Sequence, residues 1–507
     1  MNTSLPEPNM AAAAQSAPDQ IIRYDSGSDG DKTAWKDVNP SSKPKIDIAP
    51  DQLRDMLLDS LGEALKEHNK YHDPKAFSRH TKKLSLENVV NLVYFMTGAN
   101  LNVVLTEYFG IDDLCPAKSS LTEARLKLNP KFFAKIFYSF MEKLLTYLPD
   151  VRDLYGMAFL AIDGSNLPLE TFNKGLEDLS RTRTTKKGDD NAKDIDEKDN
   201  ERAGIYLNGL YTMDRRHLFI DFELQRIKHR NETEAACQLV LRQPRDAKYC
   251  FVMDRGYHCF KLEHLIASRG NYYLIRMKEV DFCKLLGIKA EDLKGEIDKD
   301  VHKILVPTKG KGFALKRRMN PDKEYYKVSP DTFDFDETGE CEFTCRLVRL
   351  EIQDGSYEYL ITNLPRDKYD INSLRYIYNN RWGIEGGYKD LKYGTGLQAV
   401  HARKIELIKQ EIYAAMALHN FASALVLAAQ QQEEEQIAKG EKKPGNPNRK
   451  VNRLFVFQTC RELLFDPFLN AWTYLKQVLR HKVTVKSGRK FKRKVIKKYY
   501  SNQYRIR

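Results

Sequence analysis

The chain has 507 residues, of which 83 are Lys or Arg and 70 are Asp or Glu, so its formal net charge is +13 at pH 7. This length permits about three domains with a substantial core, and the basic balance favours a polyanionic partner, although many other proteins share it. The eight cysteines are scattered and we find no signal peptide, which argues against a secreted disulfide scaffold and indicates a reducing cytoplasm.

The N-terminal part divides into a tail and a helical segment. Residues 1–47 are rich in Pro, Ala, Ser and Asp, so we predict a disordered tail. Residues 48–150 show helical periodicity, and the spacing of Ser120 and Glu123 predicts a capping box that opens a short helix over 121–128. Arg125 and Lys127 on this helix could contact a DNA groove, or the helix could simply pack within a helical bundle.

Two apolar runs farther along the chain each end in an aspartate. Residues 158–162 precede Asp163, and residues 249–253 precede Asp254. Each run predicts a buried strand with an acid where it ends. Because ligands bind beyond strand ends in sheets that are covered by helices, two such acids can share a cation with a third acid from a packed helix.

A third acid lies in a run with helical spacing. Tyr378, Arg381, Glu385 and Lys392 project within one wedge of about 60° on an α-helix, which would present a phenol, two cations and a carboxylate on one face. An ordinary solvated face with an Arg381–Glu385 ion pair is the alternative. Together with Asp163 and Asp254, however, the face favours metal-dependent phosphodiester chemistry.

This ordered set resembles the DDE transposases of the insertion sequence 4 family over residues 83–403. Further matches are Asp254-Arg-Gly-Tyr257, Thr362-Asn-Leu-Pro365 and Arg381-Trp-Gly-Ile-Glu385. The resemblance implies that Asp163, Asp254 and Glu385 are the catalytic and metal-binding residues. It also implies that Tyr378, Arg381 and Lys392 bind DNA phosphates, and Arg276, after an apolar strand, is a further phosphate-binding candidate.

The expected fold class is α/β, with an RNase H-like catalytic core. An all-α DNA-binding domain (48–150) precedes the core, whose first part covers 151–280 and whose second part, with the signature helix, covers 367–430. Residues 281–366 are too long for a simple loop, so we expect an inserted β-rich subdomain. The apolar stretch 412–429 is almost long enough to span a membrane, but His419 and Asn420 interrupt it, which favours a buried helix.

The C-terminal part is predicted to be a linker (431–450) followed by a helical region with a basic tail (451–507). The last 28 residues hold twelve Lys or Arg and no acid. Lys490 and Arg493 belong to this tail, where interleaved aromatic residues suit a nucleic-acid backbone. A merely solubilising tail is the alternative.

The resemblance implies Mg²⁺-dependent cleavage at transposon terminal inverted repeats and strand transfer into target DNA, with or without a hairpin intermediate. Two Mg²⁺ ions are expected, and Mn²⁺ should substitute. The expected partners are double-stranded transposon ends and target DNA, with a homodimer in the synaptic complex and no membrane, in a bacterial, nucleoid-associated location. Two alternatives are a domesticated, catalytically silent DNA-binding protein and an RNase H-like nuclease without strand transfer.

Overall fold

The computed structural model describes residues 49–484. Within that span it leaves out residues 74, 78–82, 97–99, 112–114, 170–202, 227–229, 309–319, 321, 337–338, 354, 401, 403 and 447–448. The predicted disordered tail and the basic stretch with Lys490 and Arg493 therefore lie outside the described residues.

The described part of the chain alternates between a helical region, a sheet region and a second helical region. The helices are α1 (Pro50–Lys66), α2 (Leu86–Phe95), α3 (Leu101–Phe109), α4 (Lys118–Leu126), α5 (Lys131–Tyr147), α6 (Glu232–Leu241), α7 (Phe260–Ser268), α8 (Glu279–Leu286), α9 (Ile371–Asn380), α10 (Gly383–Lys389), α11 (Ile405–Ala438), α12 (Arg453–Phe465) and α13 (Ala471–Arg480). The strands are β1 (Ala158–Leu169), β2 (Ala203–Thr212), β3 (Phe219–Arg226), β4 (Tyr249–Met253), β5 (Tyr272–Arg276), β6 (Ile297–Pro307), β7 (Tyr325–Val328), β8 (Cys341–Gln353), β9 (Ser356–Thr362), β10 (Arg449–Val451) and β11 (Lys482–Thr484).

One nine-stranded sheet organises the centre of the molecule, in the order β3-β2-β1-β4-β5-β9-β8-β6-β7. Strand β2 pairs antiparallel with both β3 and β1, whereas β1, β4 and β5 run parallel to one another. In the β1–β4 pair, Ile162 lies opposite Met253. The next residues along the two strands are Asp163 and Asp254, so parallel pairing brings both acids to the same end of the sheet.

The strands of segment 281–366 continue this sheet and do not form a separate one. Strand β9 pairs antiparallel with β5, and β8 and β6 extend the sheet beyond it. The pairing covers what would otherwise be an exposed edge of β5, with unpaired backbone groups. It also brings β9 next to the end of β5, close to the acids.

Helix α11 is buried, as the sequence predicts. By length and composition alone, α11 could cross a membrane. However, 94% of its most apolar 18-residue stretch is buried inside the fold. Asn420, a polar residue in the middle of this apolar helix, makes hydrogen bonds within the protein. The Asn420 side chain accepts a hydrogen bond from the backbone N–H of Phe219 and donates one to its carbonyl, at 3.0 and 2.7 Å. These bonds fasten α11 to β3.

The prediction that Arg125 contacts DNA is wrong. Its side chain is 2% exposed, and Nη1 lies 2.9 Å from Oε1 of Glu411. The other nitrogens donate to the side chain of Gln410 and the carbonyl of Leu407. A buried guanidinium needs such partners, so Arg125 ties α4 to α11 and has no face left for a groove. Lys127 is exposed, and its contact with DNA stays a prediction.

Candidate active site

The two aspartates leave the sheet differently. Asp254 directly follows β4 and precedes a 3-10 turn at Arg255–Tyr257. Asp163, by contrast, lies within β1, which stops pairing with β4 at Ile162 but continues along β2 as far as Leu169. The expectation that the strand ends at Asp163 is therefore wrong. The acid instead marks the point where β1 loses its parallel neighbour and one side of the strand opens.

The segment that carries the third acid is not one continuous α-helix. Helix α9 ends at Asn380 and α10 begins at Gly383, and the backbone N–H groups of Arg381 and Ile384 bond three residues back instead of four. A short π-helical turn at Asp390–Gly394 follows α10. The tightened turn and the π-helical turn change the rotation along the segment, so ideal α-helical projection does not fix the direction of its side chains.

The interruption precedes the adjacent glycines Gly386 and Gly387. A Cβ atom at Gly387 would lie 2.6 Å from the ring of Tyr211, whereas one at Gly386 would meet nothing within 4 Å. Gly387 is therefore explained by the close approach of α10 to β2, where a larger side chain would have to displace a buried ring.

The signature side chains converge on the aspartates. Nη1 of Arg381 lies 3.4 Å from Oδ2 of Asp163, and its Nη2 lies 3.7 Å from Oε1 of Glu385. The Tyr378 hydroxyl donates to Oδ1 of Asp254 at 3.2 Å. A phenol and a guanidinium thus link all three acids, which belong to three separate elements of the fold.

Lys392 reaches the same end of the sheet from the π-helical turn. Its Nζ donates to Oγ of Ser165 at 2.8 Å and to the carbonyl oxygen of Asn166 at 2.7 Å. Burial lowers the pKa of Lys392. The ammonium is thus held beside β1, two residues beyond Asp163, by neutral oxygens.

Burial, together with nearby negative charge, perturbs the pKa of Asp163. Burial raises the pKa of this carboxyl group to about 6, and the carboxylates of Glu385 and Asp254 add to the rise. The backbone N–H of Gly164, which donates at 2.8 Å, and the Arg381 guanidinium act in the opposite direction. Burial also raises the pKa of Tyr378, so this phenol stays protonated and able to donate.

The chemistry of the donor set fits a divalent cation. Three carboxylates are the oxygen ligands that Mg²⁺ and Mn²⁺ prefer, and the positive charge of Arg381 already stands between two of them. Among the described residues, no three His, Cys, Asp or Glu side chains are close enough to hold one ion as they stand. A cation that bound both Asp163 and Glu385 would compete with Arg381 for these carboxylates.

A fourth carboxylate at the site was not predicted. Nη1 of Arg276 lies 3.9 Å from Oδ1 of Asp254 and 3.7 Å from Oε1 of Glu358 on β9. Burial raises the pKa of Glu358. Arg276, the phosphate-binding candidate at the end of β5, therefore lies beside Asp254. Glu358 could not be identified from the sequence, because nothing local in residues 356–362 indicates that β9 pairs with β5.

Two tyrosines that the sequence analysis did not single out support Asp163. The Tyr388 hydroxyl donates to the carbonyl oxygen of Asp163 at 2.6 Å and lies 3.1 Å from that of Leu207, so it anchors α10 on β1 and β2. The Tyr206 ring covers Gly164, where a Cβ atom would collide with it, and its hydroxyl donates to Glu232. A glycine next to the acid thus leaves room for this ring.

Trp382 is exposed and does not pack on the core. Its side chain is 52% exposed, and its ring centre lies 5.4 Å from the guanidinium carbon of Arg381. An exposed indole beside a buried cation can contact a ligand at the acids while it shields one side of that cation.

The part of the chain that carries these residues matches a known protein family. The family model described as "Transposase DDE domain" matches residues 155–421. Among solved structures, the chain is similar to one in a cryo-EM structure of the piggyBac transposase synaptic complex with hairpin DNA. The identity is 11% and the TM-score is 0.36, over 88% of this chain and 80% of that chain. No curated protein matches the chain.

Proposed function

The chain belongs to the Transposase DDE domain family, and we propose that it cleaves DNA at the terminal inverted repeats of its element and joins the freed ends to target DNA. Family membership confirms the expected identification as a DDE transposase. The RNase H-like character of the core, the order of its domains and the cut-and-paste course of the reaction are parts of this proposal.

The observation that carries the proposal is the convergence of Asp163, Asp254 and Glu385 around Arg381 and Tyr378. The acids come from β1, the end of β4 and α10, so only the folded chain brings them together. Clustered acids destabilise a fold unless they are neutralised, and burial already raises the pKa of Asp163. Such a cost is typical of a site that binds cations.

We propose that Asp163, Asp254 and Glu385 hold Mg²⁺, with Mn²⁺ able to substitute. Two such ions would activate water for attack on the phosphodiester and stabilise the leaving 3′ oxygen. The side chains of the trio provide the negative charge for these ions, which is why Asp163 must be ionised in the active protein. In the proposed joining step, the freed 3′ hydroxyl replaces water as the nucleophile.

The cationic side chains are assigned to the DNA phosphates. Nη1 and Nη2 of Arg381 lie near Asp163 and Glu385, so the guanidinium would exchange part of this pairing for a phosphate oxygen. Lys392 presents a second cation beside Ser165. Tyr378 is a neutral donor between Asp254 and Arg381. These groups would orient the scissile phosphate and do not need to transfer protons.

The remaining assignments complete the proposal. Double-stranded transposon ends and target DNA are the proposed partners, with a homodimer in the synaptic complex and a nucleoid-associated location in a bacterial cell. Lys127, Lys490 and Arg493 are proposed contacts with DNA phosphates. Clustered basic residues of this kind mainly neutralise phosphates and release counterions, so they add affinity without sequence specificity.

Product analysis tests the reaction type. The purified full-length chain is incubated with Mg²⁺, a duplex that ends in the inverted repeats flanking its gene, and a target plasmid. We expect new 3′ hydroxyl ends followed by joined products. Cut ends without any joining would identify a nuclease. If the wild type and Asp163→Asn both bind the duplex and neither cleaves it, the chain is a catalytically silent DNA-binding protein.

A further inference from the structure

Arg276 stands between two carboxylates of different kinds. One is Asp254, a member of the acid trio, and the other is Glu358, which belongs to β9. The two separations, 3.9 and 3.7 Å, are almost equal. The Glu358 side chain is only 14% exposed, whereas that of Arg276 is 36% exposed. The Arg276 side chain is therefore more accessible to solvent than its partner Glu358.

The sheet fixes this arrangement. Arg276 pairs directly with Leu360 across β5 and β9, and the backbone N–H of Met277 donates to the carbonyl of Tyr359 at 2.8 Å. Glu358 is two residues from Leu360, so it lies on the same face as Arg276 in the diagonal position, within reach of a long side chain. The pair is thus built from two strands and does not depend on a loop.

A guanidinium beside Asp254 competes with any cation that binds this acid. When a divalent ion neutralises Asp254, the same ion repels Arg276, and an arginine without another counter-ion would swing into solvent. Glu358, the second carboxylate beside Arg276, opposes both effects. It attracts Arg276 away from Asp254 before the ion binds, and it keeps Arg276 near the acid trio afterwards.

We propose that Glu358 is a positioning residue that holds Arg276 beside the acid trio as a phosphate-binding cation and keeps it from competing with the metal ion for Asp254. The inference rests on the proposed function, because it requires a divalent cation at Asp254. It assigns no ligand role to Glu358 itself.

Mn²⁺ binding to the full-length chain without DNA tests the first half of this role. Glu358→Gln should weaken Mn²⁺ affinity by about fivefold or more, because Arg276 then pairs with Asp254 alone. Arg276→Gln should not weaken it. In the Arg276→Gln background, Glu358→Gln should have almost no further effect. With Arg276 present, Glu358→Asp, which keeps the charge, should retain more of the affinity than Glu358→Gln does.

A matched control is a second arginine–carboxylate pair that involves none of the three acids. Arg375 on α9 pairs with Glu296, an exposed carboxylate just before β6. Glu296→Gln should leave Mn²⁺ affinity unchanged. Melting temperatures of all variants show whether each one is folded, and the double-mutant comparison is made only on folded proteins.

DNA binding in Ca²⁺ tests the second half. If Glu358 keeps Arg276 at a phosphate, then Arg276→Gln and Glu358→Gln should each lower the slope of log affinity against log salt by about one ion, and the double variant should lower it no further. The result would show that both variants remove one and the same phosphate contact.

Two outcomes overturn the inference. An unchanged Mn²⁺ affinity in Glu358→Gln would show that the carboxylate does not restrain Arg276. An equal loss in both backgrounds would show that Glu358 acts on the ion directly. Asp254→Asn separates these failures from failure of the proposed function. If Asp254→Asn binds Mn²⁺ with the wild-type affinity, or if the wild type does not bind Mn²⁺, then both the proposed metal site and the role of Glu358 are wrong.

Discussion

The Arg381 guanidinium lies 3.4 Å from the carboxylate of Asp163, although 218 residues separate the two along the chain. The same guanidinium lies 3.7 Å from Glu385. Arg381 is therefore the counter-ion of two acids of the trio before any metal or DNA binds. The role that we propose for it, phosphate binding, requires this arrangement to change when the site is loaded.

The first prediction concerns the stability cost of Asp163. Burial raises its pKa to about 6 from an ordinary value of 3.8, so folding favours the protonated acid. The resulting penalty is absent below the unfolded-state pKa, grows as the pH rises through 3.8, and is complete above about 6. Asp163→Asn removes this penalty. At pH 7.5 without metal, the free energy of unfolding of the variant should exceed that of the wild type by up to about 3 kcal/mol, and its melting temperature should be higher.

This gain should shrink as the pH falls from 6 and disappear near pH 4. Asp59→Asn, on the exposed face of α1, is the control and should show no such pH-dependent difference. A melting temperature of Asp163→Asn at or below that of the wild type at pH 7.5 would show that Arg381 compensates the charge fully, and that the acid carries no penalty.

The second prediction separates Lys392 from its neighbour Lys389. Lys392 is held beside β1 by Ser165 and Asn166, whereas Lys389 is exposed on α10. Lys392→Ala should slow single-turnover cleavage and joining of a pre-nicked end by about tenfold or more, because a positioned phosphate contact is lost. Lys389→Ala should have little effect, and both variants should melt within a few degrees of the wild type. Equal catalytic losses would remove the phosphate role of Lys392.

The third prediction uses the two adjacent glycines. Gly387→Ala places a Cβ atom against the buried Tyr211 ring, so we expect a loss of about 1–3 kcal/mol of stability. Gly386→Ala meets nothing within 4 Å, so we expect no loss and a small gain from helix propensity. Chemical denaturation of both variants provides the comparison. A Gly387→Ala variant as stable as Gly386→Ala would contradict the close approach of α10 to β2.

The fourth prediction concerns the basic tail. Lys482 contacts Glu433 and belongs to β11, so truncation should begin after Thr484 to leave the β10–β11 pair intact. Removal of residues 485–507 should weaken DNA binding on all sequences alike and reduce the slope of log affinity against log salt. An unchanged slope would show that Lys490 and Arg493 do not touch DNA and would favour a solubilising tail.

The acid trio could be predicted from the sequence because its signals are local. Apolar runs that end in Asp163 and Asp254 indicate strands, and the spacing around Glu385 indicates a helix. The helical spacing predicts that Tyr378 and Lys392 face the same way, and the structure places Tyr378 beside Asp254 and Lys392 beside Ser165 although the segment is interrupted at Arg381.

The remaining features depend on contacts between distant segments. The sequence around Arg125 does not show whether this arginine is exposed and able to contact DNA or buried. Its pairing with Glu411 on α11 identifies it as a buried residue. Glu358 reaches the site only because β9 pairs with β5. The spacing of Ser120 and Glu123 predicts that α4 begins at residue 121, but the helix begins at Lys118. It follows Ala117, which has no capping side chain and therefore gives no signal in the sequence.

The central claim is that Asp163, Asp254 and Glu385 form one catalytic site, and it is tested most directly by single-turnover cleavage of a transposon-end duplex. Asp163→Asn, Asp254→Asn and Glu385→Gln each remove a charge and little volume. With Mg²⁺, each variant should lose cleavage by about 1,000-fold or more while it binds the end within a fewfold of the wild-type affinity. Cleavage by any one of them at near the wild-type rate would contradict the assignment of the trio.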